Sequence, residues 1–269
     1  MNIKEFEKRM NEICPLELQE EWDNCGLQLN SSLDGEIENV LVALEISQAV
    51  VDEAKSLDVD MIVTHHPMFF GAFKSIVPEL LPTRYSLDLI RSGISVYSAH
   101  TNFDTMEGGN NDYLAKLLGF TDIICHGILR SGRVKLTGNT EDLGLSQAPT
   151  VKDMGNLISE KLGIERSLIR IIGNPESKVE NLAWCTGAGA SFIMDAIDLG
   201  TDLYITGDIK YHEATTIKEF GLNALDIGHF GSEKIFTDNM TDILKRELPN
   251  LTVIASEMDK DPFDTVATE

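Results

Sequence analysis

The sequence predicts an α/β protein made of two related lobes with mixed, mostly parallel sheets. Short apolar runs alternate with stretches of helical spacing, and one strand–helix–strand stretch recurs later in the chain without a gap. Histidines and carboxylates also gather just after the apolar runs, where α/β sheets open into ligand-binding loops.

Taken in chain order, Ile3, Phe6, Met10 and Ile13 have helical spacing, and Pro15 closes that helix. Val40-Leu41-Val42-Ala43-Leu44 is a continuous apolar run, the pattern of a strand buried on both faces. Ser47 has the chemistry of an N-cap for a helix through Ala54, because its hydroxyl can accept from an unpaired N–H of the first turn. Asp60–Thr64 reads as a second strand, a helix follows around Tyr85–Arg91, and Ile94–Ala99 reads as a third strand.

The second half repeats this scheme. Ile37-Glu38-Asn39-Val40 matches Val179-Glu180-Asn181-Leu182, a shift of 142 residues, and the same shift carries Asp60–Thr64 onto Asp202–Thr206. Gly93-Ile94-Ser95-Val96 has a further echo in Gly221-Leu222-Asn223-Ala224. The expected lobes are residues 1–128 and 129–269, with the last segment, Pro249–Glu269, free to pack back on the first lobe. Gly127–Thr150 reads as a connector holding one strand-like run, Arg133–Thr137.

Composition narrows the function. Hydrophobic residues are 42% of the 269, enough for a sizeable core. With 44 acids against 22 bases the net charge is −22, which disfavours sequence-independent binding to nucleic-acid backbones. The four cysteines are scattered, with no pair at zinc-ribbon or redox spacing, and read as reduced thiols. No signal-like or membrane-spanning apolar stretch stands out, so a cytoplasmic location away from membranes is expected.

The chemistry sits in three places. His65 and His66 follow the buried run Met61-Ile62-Val63, and Pro67 holds His66 extended. Neighbouring side chains on extended backbone point apart, so the pair can address two ions, or one ion and a substrate group. Asp104 follows the next strand; by itself it reads as an N-cap or turn residue before Gly108-Gly109, and in this company as a bridging ligand. His229 and Glu233 precede an amphipathic helix (Ile235, Phe236, Met240, Ile243, Leu244). They share a face if helix begins by His229, and they also converge if Ser232 is the N-cap. Three imidazoles and two carboxylates without a thiolate suit Zn, Mn, Fe, Co or Ni, and five ligands suit two divalent metal ions better than one catalytic ion. His100 and His212 are expected either to move protons beside such a centre or to be ordinary solvent-side histidines.

Glu21–Gln28, Thr64–Pro67, Ser98–Asp104, Gly207–His212 and Gly228–Glu233, in that order, resemble the NIF-three-like family over nearly the whole chain. Its bacterial members are often labelled homologues of GTP cyclohydrolase 1 type 2. The resemblance implies the NIF-three-like duplicated fold, a toroidal homohexamer and a dinuclear metal centre, with His65, His66, Asp104, His229 and Glu233 as ligands. Some members insert a domain between the lobes, for which this chain is too short there. The family's second-lobe motif often has Gly-Glu and His-His where this chain has Gly207-Asp208 and Tyr211-His212. The function expected is a metal-dependent hydrolase acting on a small nucleotide-like substrate. The alternative is a non-enzymatic metal-binding, metal-delivery or scaffold protein.

Overall fold

Helices and strands alternate along the chain in the computed structural model, which describes residues 1–31, 35–72, 74–134 and 148–264. The chain begins with α1 (Ile3–Ile13), β1 (Gly26–Leu29), β2 (Asn39–Ala43), α2 (Gln48–Ser56), β3 (Met61–Thr64), α3 (Leu81–Ser92), β4 (Ser95–Ser98) and the short helix α4 (Thr101–Thr105). It continues with α5 (Asn110–Leu118), β5 (Phe120–His126), β6 (Leu129–Val134), α6 (Val151–Leu162), β7 (Arg170–Ile172), β8 (Asn181–Trp184) and α7 (Ile193–Asp198). Then come β9 (Leu203–Thr206), α8 (Tyr211–Glu219), β10 (Asn223–Asp226), α9 (His229–Glu233), α10 (Ile235–Glu247) and β11 (Thr252–Ala255). These elements form two compact units: Met1–Gly109 with Lys234–Lys260, and Asn110–Glu233 with residues 261–264.

The sheet of the first unit has the order β1-β4-β3-β2-β11. All its pairings are parallel except β1 with β4. Leu41, Ile62 and Val96 of its central strands pack with Val50, Val51 and Ala54 of α2 and Leu89 of α3, all fully buried. The Ser47 hydroxyl does cap α2, accepting from Val50 N at 3.2 Å. The destination of the C-terminal segment is also plain: β11 lies parallel to β2 in the first sheet.

The sheet of the second unit has the order β5-β6-β8-β9-β10-β7. Only β8, β9 and β10 run parallel; β5, β6 and β7 join antiparallel, more than the mostly parallel expectation. Ala183, Tyr204 and Ala224 of its parallel strands pack with Ile193 and Ala196 of α7 and Ile217 of α8. The division therefore falls at Gly109/Asn110 rather than at 128/129, because β5 pairs with β6 and a boundary at 128 would cut that hairpin. The strand read at Arg133–Thr137 begins earlier, as β6 from Leu129, and is described as far as Val134; residues 135–137 lie outside the described ones.

The duplication is visible in hydrogen bonds as well as in sequence. The Asp60 carboxylate accepts from Glu38 N and Asn39 N, both at 2.9 Å. At the same shift of 142, Asp202 accepts from Glu180 N at 3.0 Å and Asn181 N at 2.9 Å. The third strand of each lobe carries a short helix after it: α4 starts three residues beyond Ser98, and α9 three residues beyond Asp226. No disulfide joins the four cysteines. Among the described residues no helix is long and apolar enough to cross a membrane.

Candidate metal centre

In the first unit the end of β3 delivers His65 and His66, whose backbone N–H groups both donate to Leu44 O, at 3.1 and 2.9 Å. His65 is fully buried, and its Nδ1 lies 2.9 Å from Ala99 O. A carbonyl only accepts, so this nitrogen carries the hydrogen and Nε2 keeps its lone pair for a ligand role. Nε2 lies 3.6 Å from Oδ2 of Asp104. Asp104 itself is 5% exposed and sits inside α4, not at its cap, so the turn reading of this residue does not describe it.

His100 joins the histidine doublet. One ligand nitrogen from each of His65, His66 and His100 falls within 4.8 Å of the others. His100 is oriented by Asp23, whose carboxylate oxygens lie 2.9 and 3.0 Å from its Nδ1. Thr101 N, Thr101 Oγ1 and Cys25 Sγ donate to the same carboxylate, at 3.1, 2.5 and 3.1 Å. Burial alone would push the Asp23 carboxyl up, but hydrogen bonds from His100, Thr101 and Cys25 and the charge of His100 outweigh it and hold it well below the usual carboxylate range. The Cys25 thiol is pushed up to about 12, first by burial and then by Asp23, so it serves as a donor and not as a thiolate.

In the second unit His229 opens α9, which settles the geometry of that pair: His229 and Glu233 stand one turn apart on one face, with Nε2 and Oε2 2.9 Å apart. Ser232 is not the N-cap; its hydroxyl accepts from Gly187 N at 2.9 Å and donates to His229 O at 2.8 Å. His229 Nδ1 is 2.8 Å from Oδ2 of Asp208. Asp208 is the residue that falls opposite His66 in the repeat, so the copied strand end supplies a carboxylate that orients an imidazole where the first lobe supplies an imidazole itself. Asp226 steadies both arms: its carboxylate accepts from Ile209 N and Gly228 N, each at 3.0 Å, and pairs with Arg170. Gly187 makes room for Glu233, since a Cβ there would lie 2.0 Å from Oε1. His212 takes no part in these groups; it is exposed at the start of α8 against Tyr211.

These donors fit a divalent ion. Two ligands bonded at about 2.1 Å to one ion lie about 3.0 Å apart at a right angle and about 3.4 Å apart in a tetrahedron. The His229–Glu233 separation of 2.9 Å and the His65–Asp104 separation of 3.6 Å lie close to that span. Buried carboxylates beside imidazoles are costly without a cation or proton to share, which favours the same use. In sequence, Asp23 is marked only by its place in the Glu21–Gln28 stretch, and Asp208 only by its register opposite His66.

The fold has solved counterparts. The crystal structure of Staphylococcus aureus protein SA1388 superposes with a TM-score of 0.89, covering 99% of both chains at 24% identity. A Clostridium perfringens protein named GTP cyclohydrolase 1 type 2 homolog is 35% identical, covering 99% of this chain and 100% of that one. A Helicobacter pylori protein named GTP cyclohydrolase 1 type 2 is 31% identical over 90% of this chain and 91% of its own. The model of the Duf34/NIF3 (NGG1p interacting factor 3) family matches residues 1–262, and the chain belongs to that family.

Proposed function

We propose that His65, His66, Asp104, His229 and Glu233 act together as ligands to two divalent ions, from among zinc, manganese, iron, cobalt and nickel. The loaded protein is then a cytoplasmic hydrolase of a nucleotide-like substrate, assembled as a homohexamer. The observation that carries this reading is the pairing of buried carboxylates with oriented imidazoles: Asp104 beside His65, whose Nδ1 is held by Ala99 O, and Glu233 beside His229, whose Nδ1 is held by Asp208. The name GTP cyclohydrolase 1 type 2 borne by relatives supports the substrate class. A bound pair of ions supplies Lewis acidity and lowers the pKa of water. His100, whose Nδ1 lies against the Asp23 carboxylate, takes up and returns a proton at its Nε2; that contact supports the role by fixing the ring's orientation.

The test combines elemental analysis, a nucleotide turnover panel that includes GTP, and light scattering on one preparation. Two ions per chain are expected, with six times the chain mass. His65→Ala and Glu233→Ala should each lower metal content, and His100→Ala should keep the metal while slowing turnover. Fewer than one ion per chain would remove the metal reading. Metal without turnover of any nucleotide would favour a binding or scaffold role.

A further inference from the structure

We propose that Trp22 and Phe70 form a stacking platform beside His100 that takes the flat face of a heteroaromatic ring, such as a nucleobase. This rests on the reading of the His100 region as a substrate site and names the part of the ligand that the site grips. Trp22 is 64% exposed and Phe70 is 61% exposed, although both are large apolar rings. They come from separate loops yet meet the same imidazole: ring centroids lie 6.0 Å from His100 for Trp22 and 5.7 Å for Phe70.

The loops that carry the two rings are tied down. The Trp22 turn is pinned on both sides to the start of α4, by Glu20 N donating to Thr101 Oγ1 at 3.0 Å and by the Asp23 carboxylate accepting from His100 and Thr101. The Asn24 side-chain amide then donates to Phe69 O at 2.8 Å, tying the Trp22 loop to the Phe70 loop. Two exposed rings on tied loops, both beside one imidazole, suit a ligand with a flat face and a polar edge. Every nucleobase has such a face, and stacking on a protein ring is open to any base. Glu20 and Glu21 directly precede Trp22 and are exposed, so their negative charge disfavours a phosphate tail beside the rings.

The chain has two tryptophans, and the other, Trp184, is fully buried with its indole N–H on Asn111 O. Emission changes on ligand addition therefore report on Trp22. The full-length protein is titrated with guanosine, adenosine and uridine, with ribose 5-phosphate as the control without a ring. Saturable quenching by at least one nucleoside and none by ribose 5-phosphate is expected. Phe70→Ala should weaken that binding at least about tenfold, and Phe70→Tyr should restore it. Trp22→Phe should abolish the quenching while equilibrium dialysis still finds the nucleoside bound. No saturable quenching, or unchanged affinity in Phe70→Ala, overturns the platform. So does a drop in assembly mass when Trp22 or Phe70 is replaced by Ala, because the rings are then a contact between copies. Metal content measured on the same samples separates the two readings: normal metal with no nucleoside binding removes the platform and leaves the metal centre standing.

Discussion

At the scale of single residues, the space around Glu233 and the charge on Asp23 make the sharpest expectations. Gly187 sits at φ +67°, and a Cβ there would strike the Glu233 carboxylate. Gly187→Ala should therefore cut metal affinity at least about tenfold and destabilise the fold by about 1–3 kcal/mol, as isothermal titration and denaturant melts would read. Gly93 is the control: it too has positive φ, 74°, but nothing lies within 4 Å of its would-be Cβ. Gly93→Ala should cost only backbone strain, about 1 kcal/mol, and leave metal affinity unchanged. Asp23 has its folded pKa depressed, so its contribution to stability is present above the unfolded value and is lost as pH falls through the folded one. Asp23→Asn should cost about 2 kcal/mol at pH 7, and the gap from wild type should narrow as melts are run below about pH 4. A gap that is constant across that range would show that the carboxylate's charge is not what matters.

At the scale of elements, the repeated aspartate clamp explains why the first crossover of each lobe keeps its register. Asp60 precedes β3 and ties down the residues that start β2; Asp202 does the same for β9 and β8. Each carboxylate takes two backbone N–H groups at a strand entrance, where the ladder has not begun to satisfy them. Asp60→Ala and Asp202→Ala should each destabilise by about 1–3 kcal/mol, and by similar amounts, in chemical denaturation. A large effect from one and none from the other would mean that the shared pattern is inherited without a shared mechanical role. The helix α6, away from the histidine doublet, is entered in a comparable way: Thr150 and Asp153 form a reciprocal capping box. Strand entrances and helix entrances thus use the same device, a short side-chain oxygen in place of a missing backbone acceptor.

At the scale of the whole molecule, the C-terminal strand links fold to site. β11 covers the edge of β2, and beyond it the Asp259 carboxylate accepts from Leu44 N at 2.8 Å and from Thr237 Oγ1 at 3.0 Å. Leu44 O in turn accepts from His65 N and His66 N. The tail thus braces the turn that carries the histidine doublet. A chain ending at Leu248 should lose solubility, because the buried strand β2 becomes an open edge. Asp259→Asn keeps the strand and isolates the brace. It should stay soluble and bind metal more weakly, measured by competition with a chelator; unchanged metal affinity would show that the doublet does not need the tail.

The sequence by itself determined the alternation of strands and helices, the duplication at a shift of 142, and the residues with ligand chemistry, because burial, period and donor type are local properties written in residue order. Ser47 as a cap and the strand before His65 were legible for that reason. Tertiary structure alone decided that β5 belongs with the second sheet, that β11 joins the first, and that Asp23 and Asp208 orient His100 and His229. Those pairings join residues far apart in the chain, and an aspartate in a loop looks the same in sequence whether it caps a turn, holds an imidazole or faces solvent. Which of these it does depends on what the fold brings within hydrogen-bond reach, and sequence spacing carries no record of that.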